Sequence, residues 1–144
     1  LQLAVLDEAQ NRFTEQVVRP ALGAPRGLAR LSALFENWLA HSVAGSAPGG
    51  CLFVQAAVEF DDQPGPVRDR VASTQRLWRE ALARTITLAV EQAELRPETD
   101  CRQFAFELFG LVLAAHHDAR LLDQDDALAR ARRGLNRLIA ASAA

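Results

Sequence analysis

The stretch that decides the fold is residues 49–70, which read GGCLFVQAAVEFDDQPGPVRDR. It begins with a glycine pair that favours a turn, continues with a short apolar run, and ends with Pro66, which suits the first turn of a helix. The leucine, phenylalanine and valine that open the apolar run have strand propensity, but Ala56 and Ala57 follow them and the chain offers no partner strand. We therefore interpret residues 51–60 as a short helix buried on most sides, followed by a long helix from Pro66.

Outward from this stretch, the periodicity of apolar residues predicts six helices and no strands. Their approximate bounds are 1–18, 26–43, 51–60, 66–93, 100–122 and 124–142. The first helix is expected to stop before Pro20, because the residue before a proline avoids helical angles. Glycine, serine and proline at residues 45–50 favour a loop. An all-α chain with such short connections forms a helical bundle.

Composition limits the class of protein. The chain has 144 residues, 49% of them hydrophobic and 24% charged, as in one globular domain. It has no apolar run long enough to cross a membrane, and its first residues do not resemble a secretory signal, so we expect a cytoplasmic protein in which Cys51 and Cys101 are free, buried thiols. The net charge is −2 and the basic side chains cluster only at Arg130, Arg132 and Arg133, so this chain alone is predicted to bind DNA poorly.

Motifs for catalysis or metal binding are absent from the sequence. His116 and His117 are adjacent, so on a helix they point about 100° apart, and His41 lies on a different helix. The sequence has no nucleophile turn and no glycine-rich phosphate loop before a helix. We therefore expect no catalytic residue, no metal and no cofactor.

Eight of the nine aromatic side chains occur on four of the predicted helices, and for any one of them ordinary core packing is the alternative interpretation. Two tryptophans in a chain without tyrosine nevertheless suggest a ligand cavity, because cavities among helices are lined by aromatic residues with a few polar groups. Gln55 and Glu59 share one helix face, and they either point to solvent or place one polar group in such a cavity. The candidate ligand-binding residues are Phe35, Trp38, Phe53, Gln55, Trp78, Leu82 and Phe109.

The fifth predicted helix carries two apolar stripes. One stripe can face the core of the chain, and the other then needs a second partner, for which another copy of the chain is the obvious candidate. We therefore predict a homodimer whose interface is completed by the sixth helix. The candidate interface residues are Phe106, Phe109, Leu113, His116, Arg120, Leu135 and Leu138.

Four segments, taken in order, resemble the effector-binding and dimerisation domain of TetR-family transcriptional repressors. They are TEQVVRP at 14–20, the Gly-Gly-Cys block, the PGPVR helix start, and QFAFELFGL at 103–111. The resemblance covers nearly the whole chain and implies an all-α six-helix bundle, whose last two long helices form an intersubunit four-helix bundle. It also implies a small apolar or amphipathic effector bound among the middle helices.

The same resemblance implies a division of the chain. Residues 1–18 would connect to a helix-turn-helix headpiece expected before Leu1, and residues 19–144 would form the effector-binding and dimerisation domain. DNA would then be contacted only through that headpiece. Two alternatives stay open at this point: a structural dimerisation module without a ligand, and an enzyme on a helical scaffold.

Overall fold

The fold is all-α. A computed structural model describes residues 1–44 and 51–144, and the predicted loop at 45–50 lies outside them. In these two ranges the chain forms six helices and an isolated β-bridge between Leu95 and Ala143. We number as α1 the continuous helix made of Gln2–Phe13, a π-helical turn at Thr14–Val18 and a last turn at Arg19–Ala21. The others are α2 (Leu28–Ala44), α3 (Leu52–Phe60), α4 (Pro66–Glu91), α5 (Cys101–Arg120) and α6 (Ala127–Ser142).

The expectation that the first helix stops before Pro20 was wrong. The helix continues to Ala21 because it widens into a π turn directly before the proline, where the N–H of Arg19 donates to the carbonyl of Thr14. A proline inside a regular α-helix lacks one hydrogen bond and its ring meets the carbonyl of the preceding turn. A single π turn is a known way to absorb such an interruption.

Two helix ends are defined by specific local contacts. Asp100 caps α5, and its side chain accepts a hydrogen bond of 2.9 Å from the backbone N–H of Gln103, as is usual for an aspartate at this position. After α4, the chain turns through Ala93, which has a left-handed backbone with φ of 59°. This conformation costs a non-glycine residue about 1–2 kcal/mol.

The apolar side chains form two separate clusters. The main core lies between α2, α4, α5 and α6, with contributions from the end of α1; its fully buried members include Phe35, Leu39, Leu82, Ile86 and Leu108. The smaller cluster joins the first half of α1 to α3 and the start of α4 through Leu6, Cys51, Phe53, Ala56 and Val71.

The helix α3 is less buried than its composition predicts. Phe53 and Ala56 are buried against α1 and α4, whereas Val58 is 75% exposed. The expectation that this helix is buried on most sides was therefore wrong, because it packs through one face only. The helical assignment itself is confirmed over Leu52–Phe60. Both cysteines are free; Cys51 is buried and Cys101 is half-buried.

Polar contacts fix α2 against the rest of the bundle. The guanidinium of Arg132 on α6 binds both carboxylate oxygens of Glu36 at 2.8–3.1 Å. The carboxylate of Glu94, just beyond α4, accepts a hydrogen bond of 3.1 Å from the backbone N–H of Leu28 at the start of α2. The beginning of α2 therefore lies beside the end of α4. Among the described residues, no helix has the length and apolar character needed to cross a bilayer.

Candidate functional site

A cavity of about 890 Å³ opens between five helices. Its walls come from the π turn of α1, from α2, from α4, from α5 and from the start of α3. This volume lies within the range of roughly 300–1,000 Å³ that is typical of small-molecule sites. The cavity lies where the two apolar clusters meet, since Phe13, Trp38 and Val112 of the main core line it together with Cys51 and Phe53 of the smaller one.

The cavity has an aromatic wall that contains both tryptophans of the chain. The ring of Trp78 lies edge-on to Phe13, with centroids 4.8 Å apart, and edge-on to Trp38, with centroids 5.2 Å apart. Trp38 continues to Phe109 at 5.6 Å. Perpendicular and tilted arrangements of this kind are the favourable ones for aromatic pairs. The indole Nε1 of Trp78 is buried without a hydrogen-bond partner among the described residues, an arrangement that costs about 1–3 kcal/mol.

The helix α4 provides one wall along most of its length. The lining residues recur mainly at intervals of three or four positions, which places them on one face. They are Arg70, Ser73, Thr74, Gln75, Leu77, Trp78, Ala81, Arg84, Thr85, Thr87, Leu88 and Glu91. At about 1.5 Å per residue, this wall is about 30 Å long. The apolar section of the wall is short and comprises Leu77, Trp78 and Ala81, with polar side chains on both sides of it and Arg84 one turn beyond Ala81.

The charged residues that line the cavity differ in how far they are already paired. Arg70 forms an ion pair with Asp7 of α1. Arg30 of α2 donates from Nε and Nη2 to the backbone carbonyls of Leu22 and Ala24 at 3.0–3.2 Å, and its Nη1 has no such bond. Arg84 makes no hydrogen bond or ion pair with any described residue, and it is exposed. The single acidic residue among the lining residues is Glu91.

Four of the seven candidate ligand-binding residues line this cavity: Trp38, Phe53, Trp78 and Phe109. Phe35 and Leu82 do not; both are buried in the main core, on helix faces that pack against other helices. Gln55 lies on the exposed side of α3, away from the cavity lining. Sequence reasoning missed Phe13, Thr14 and Val18 of α1. No sequence pattern reveals the π turn that brings them to the cavity, although Phe13 is the single aromatic residue on its helix.

The candidate interface residues divide into exposed and internal ones. Phe106 is 60% exposed and Leu113 is 37% exposed, so both present apolar surface on the outer side of α5. Leu135 is 4% exposed and belongs to the core of its own chain, and Leu138 is half-buried against that core. His116 is half-buried, and Arg120 is exposed but donates a hydrogen bond of 3.1 Å to the carbonyl of Val43 within the same chain.

Phe109 was a candidate for both the cavity and the interface, and it lies between the two. One neighbour is Trp38 of the cavity wall, and the guanidinium carbon of Arg79 lies 3.9 Å from the ring centroid of Phe109 and 5.7 Å from that of Phe106. Such cation–π contacts hold Arg79 over the aromatic rings. Burial lowers the pKa of Arg79 from its ordinary value, and its Nε is buried without a hydrogen-bond partner among the described residues.

Burial also affects two other titratable groups near the cavity. It raises the pKa of the Cys51 thiol, which favours the neutral form and makes this cysteine a poor nucleophile. It lowers the pKa of His41, whose Nδ1 lies 2.7 Å from Oε1 of Gln16 in the π turn and whose ring lies edge-on to Phe13. In the described ranges, no group of three or more histidine, cysteine, aspartate or glutamate residues is placed to hold a metal ion.

Comparisons of the sequence and of the fold with known proteins match the same kind of protein. Residues 27–135 match the family described as tetracyclin repressor-like, C-terminal domain. A TetR transcriptional regulator from Chloroflexus aurantiacus J-10-FL has the same fold with a TM-score of 0.82 and 24% identity, over 98% of this chain and 71% of that one. A TetR-family transcriptional regulator from Cytophaga hutchinsonii has a TM-score of 0.69 and 21% identity, over 96% and 67% of the two chains. No curated protein matches the sequence.

Proposed function

Because this chain belongs to the family of tetracyclin repressor-like C-terminal domains, we propose that it is the effector-binding and dimerisation domain of a transcriptional repressor. It binds a small apolar or amphipathic molecule, which controls DNA binding by a helix-turn-helix headpiece joined to α1. In this proposal the domain acts in the cytoplasm as a homodimer and has no catalytic role.

The observation that carries this proposal is the cavity with its aromatic wall. A purely structural module gains most from a solid core, because every unfilled volume among apolar side chains lowers stability. This chain instead leaves about 890 Å³ open beside its largest side chains. An apolar space with a few polar groups at its edges is what a ligand site requires.

The position of the cavity suggests how an effector acts on the headpiece. Phe13, Thr14 and Val18 line the cavity, and they belong to the π turn of α1 or directly precede it. The part of α1 before this turn is held to α3 and α4 by the smaller apolar cluster and by the ion pair between Asp7 and Arg70. A ligand between the two clusters changes the angle at which residues 2–13 leave the domain. Such a ligand shifts the equilibrium only by the difference in its affinity for the two orientations.

The proposed dimer uses the outer face of α5. Phe106 and Leu113 lie two turns apart on that face, and Gly110 between them is exposed with no atom within 4 Å of the place where a side chain would begin. A second copy can therefore approach closely there, as a twofold interface requires. Leu135 acts indirectly in this arrangement, by holding α6 against α5 from inside the chain.

Binding can be tested with a panel of hydrophobic metabolites and drugs, read by tryptophan fluorescence and by thermal shift. Since both tryptophans line the cavity, a ligand in it must change the emission of this chain. Trp78→Phe keeps a ring next to Phe13 and Trp38 but alters the wall, so affinity should fall several-fold. Arg76→Ala, on the same helix but outside the cavity lining, is the matched control and should leave affinity unchanged.

Two results would count against the proposal. The first is a panel in which no compound changes fluorescence or melting temperature. The second is binding that Trp78→Phe and Arg76→Ala affect equally, which would place the site elsewhere on the surface.

A further inference from the structure

The cavity is long compared with its volume. Its lining residues on α4 run from Arg70 to Glu91, so the open space follows this helix for about 30 Å. A volume of about 890 Å³ distributed over that length forms a narrow channel rather than a round chamber, and this channel is open to solvent beside the exposed residues Leu77, Arg84 and Thr87. The shape therefore favours a slender, extended ligand over a compact ring system, because a compact ligand would leave most of the channel empty.

The two ends of the channel differ in charge. At the end near the start of α4, Arg70 is already neutralised by Asp7. Towards the other end lie Arg84, about 10 Å along the helix before Glu91, and Arg30; Arg84 has no partner among the described residues, and the Nη1 of Arg30 remains unused. Arg30 belongs to this end because α2 begins beside Glu94, directly after α4. The one acidic lining residue, Glu91, offsets one of these two charges, so the lining residues at this end keep a net positive charge.

Between these ends the channel has an apolar section, which Ser73, Thr74 and Gln75 separate from Arg70. This section is formed by Leu77 and Ala81 of α4 and by the contiguous rings of Trp78, Trp38 and Phe109. A hydrocarbon chain in this section removes apolar surface of the ligand and apolar surface of the wall from water. A guanidinium at the end of such a channel is well suited to a carboxylate, which it can bind through two parallel hydrogen bonds.

We infer that the effector is an elongated amphipath with an anionic head, of the chemical class of long-chain carboxylates. Its head binds at Arg84 and Arg30, and its hydrocarbon chain lies along α4 towards Arg70. This inference rests on the proposed function, because it identifies the ligand class of the same cavity.

Titrations with hexanoate, laurate and palmitate, each below its micelle concentration, test both parts of the inference. Affinity should rise by roughly fourfold for each added methylene until the channel is filled. Lauryl alcohol has the same body as laurate without the charge, and it should bind about tenfold more weakly. Tryptophan emission reports occupancy, and calorimetry gives the affinity independently.

Variants of Arg84 distinguish recognition of the carboxylate from recognition of the hydrocarbon chain. Arg84→Gln should weaken laurate binding by about tenfold and leave lauryl alcohol binding unchanged, while Arg84→Lys should retain part of the preference for the carboxylate. Arg76→Gln removes an arginine from the same helix outside the channel, and it should have no effect on either ligand.

The outcomes distinguish this inference from the proposed function. If lauryl alcohol and other apolar compounds bind, but laurate binds no more tightly and Arg84→Gln changes nothing, the anionic ligand class is wrong and the sensor role stands. Equal affinity for hexanoate and palmitate would overturn the elongated shape in the same way. If no carboxylate, alcohol or panel compound binds, the sensor role itself is refuted.

Discussion

Ala81→Leu tests directly whether the space beside α4 is open. Ala81 is half-buried and lines the cavity beside Trp78, so a larger side chain at this position would extend into free volume. Replacing its methyl by an isobutyl group buries additional apolar surface worth about 2 kcal/mol. Loss of leucine rotamer freedom and incomplete burial reduce this gain to about 1 kcal/mol. The free energy of unfolding in urea, followed by circular dichroism, should therefore rise or stay level, and ligand affinity should fall.

The matched control is Ala105→Leu on α5. Ala105 is 2% exposed and lies within the packed main core, so the same enlargement there should lower the free energy of unfolding by about 1–3 kcal/mol. The opposite signs of the two changes are the signature of a cavity beside a close-packed core. If Ala81→Leu destabilises the chain as much as Ala105→Leu does, the space is not open in solution and the reasoning fails.

Further predictions concern stability, pH and assembly. Ala93→Gly should raise the free energy of unfolding by about 0.5–1 kcal/mol, because glycine adopts the left-handed turn after α4 without strain; a loss of stability in urea would contradict this. Burial lowers the pKa of His41 below 6.5 in the folded chain, so the histidine of the unfolded chain is protonated at a higher pH than that of the folded chain. Its protonation therefore lowers the free energy of unfolding as the pH falls below about 6.5. His41→Gln should reduce this pH dependence in thermal unfolding, and an unchanged slope would argue against it. Phe106→Asp should convert a dimer into a monomer by light scattering, whereas Val58→Asp, at a more exposed apolar position on α3, should not; a monomeric parent chain would refute the dimer.

Most of the helical architecture could be predicted from the sequence, because it depends on local chemistry. Pro66 places the start of α4, Asp100 caps α5, and the repeat of apolar residues on α5 marks the face that packs inside the chain. The end of α1 could not be predicted, because the helix continues past Pro20 by means of a π turn. This turn depends both on the proline and on packing against α2. Asn37 of α2 stabilises that turn by donating to the carbonyl of Val17 at 3.2 Å, a contact between residues far apart in sequence.

The residues of the candidate site were harder to predict from the sequence than the helices were. Residue type identified Trp38, Trp78 and Phe109 as cavity residues, but Phe35 and Leu82 have the same apolar character and lie in the core instead. Periodicity tells which residues share a helix face, and it does not tell whether that face meets another helix or an opening. That distinction depends on the separation between helices, which long-range packing sets.

The most direct test of the account is a crystal structure of this domain with the tightest-binding compound from the ligand panel. The account predicts electron density for the compound along α4, against Trp78 and Phe109, and an altered direction of the first half of α1 relative to the unliganded domain. Density at another surface, with the cavity unoccupied and α1 unchanged, would contradict the claim that this cavity is the effector site.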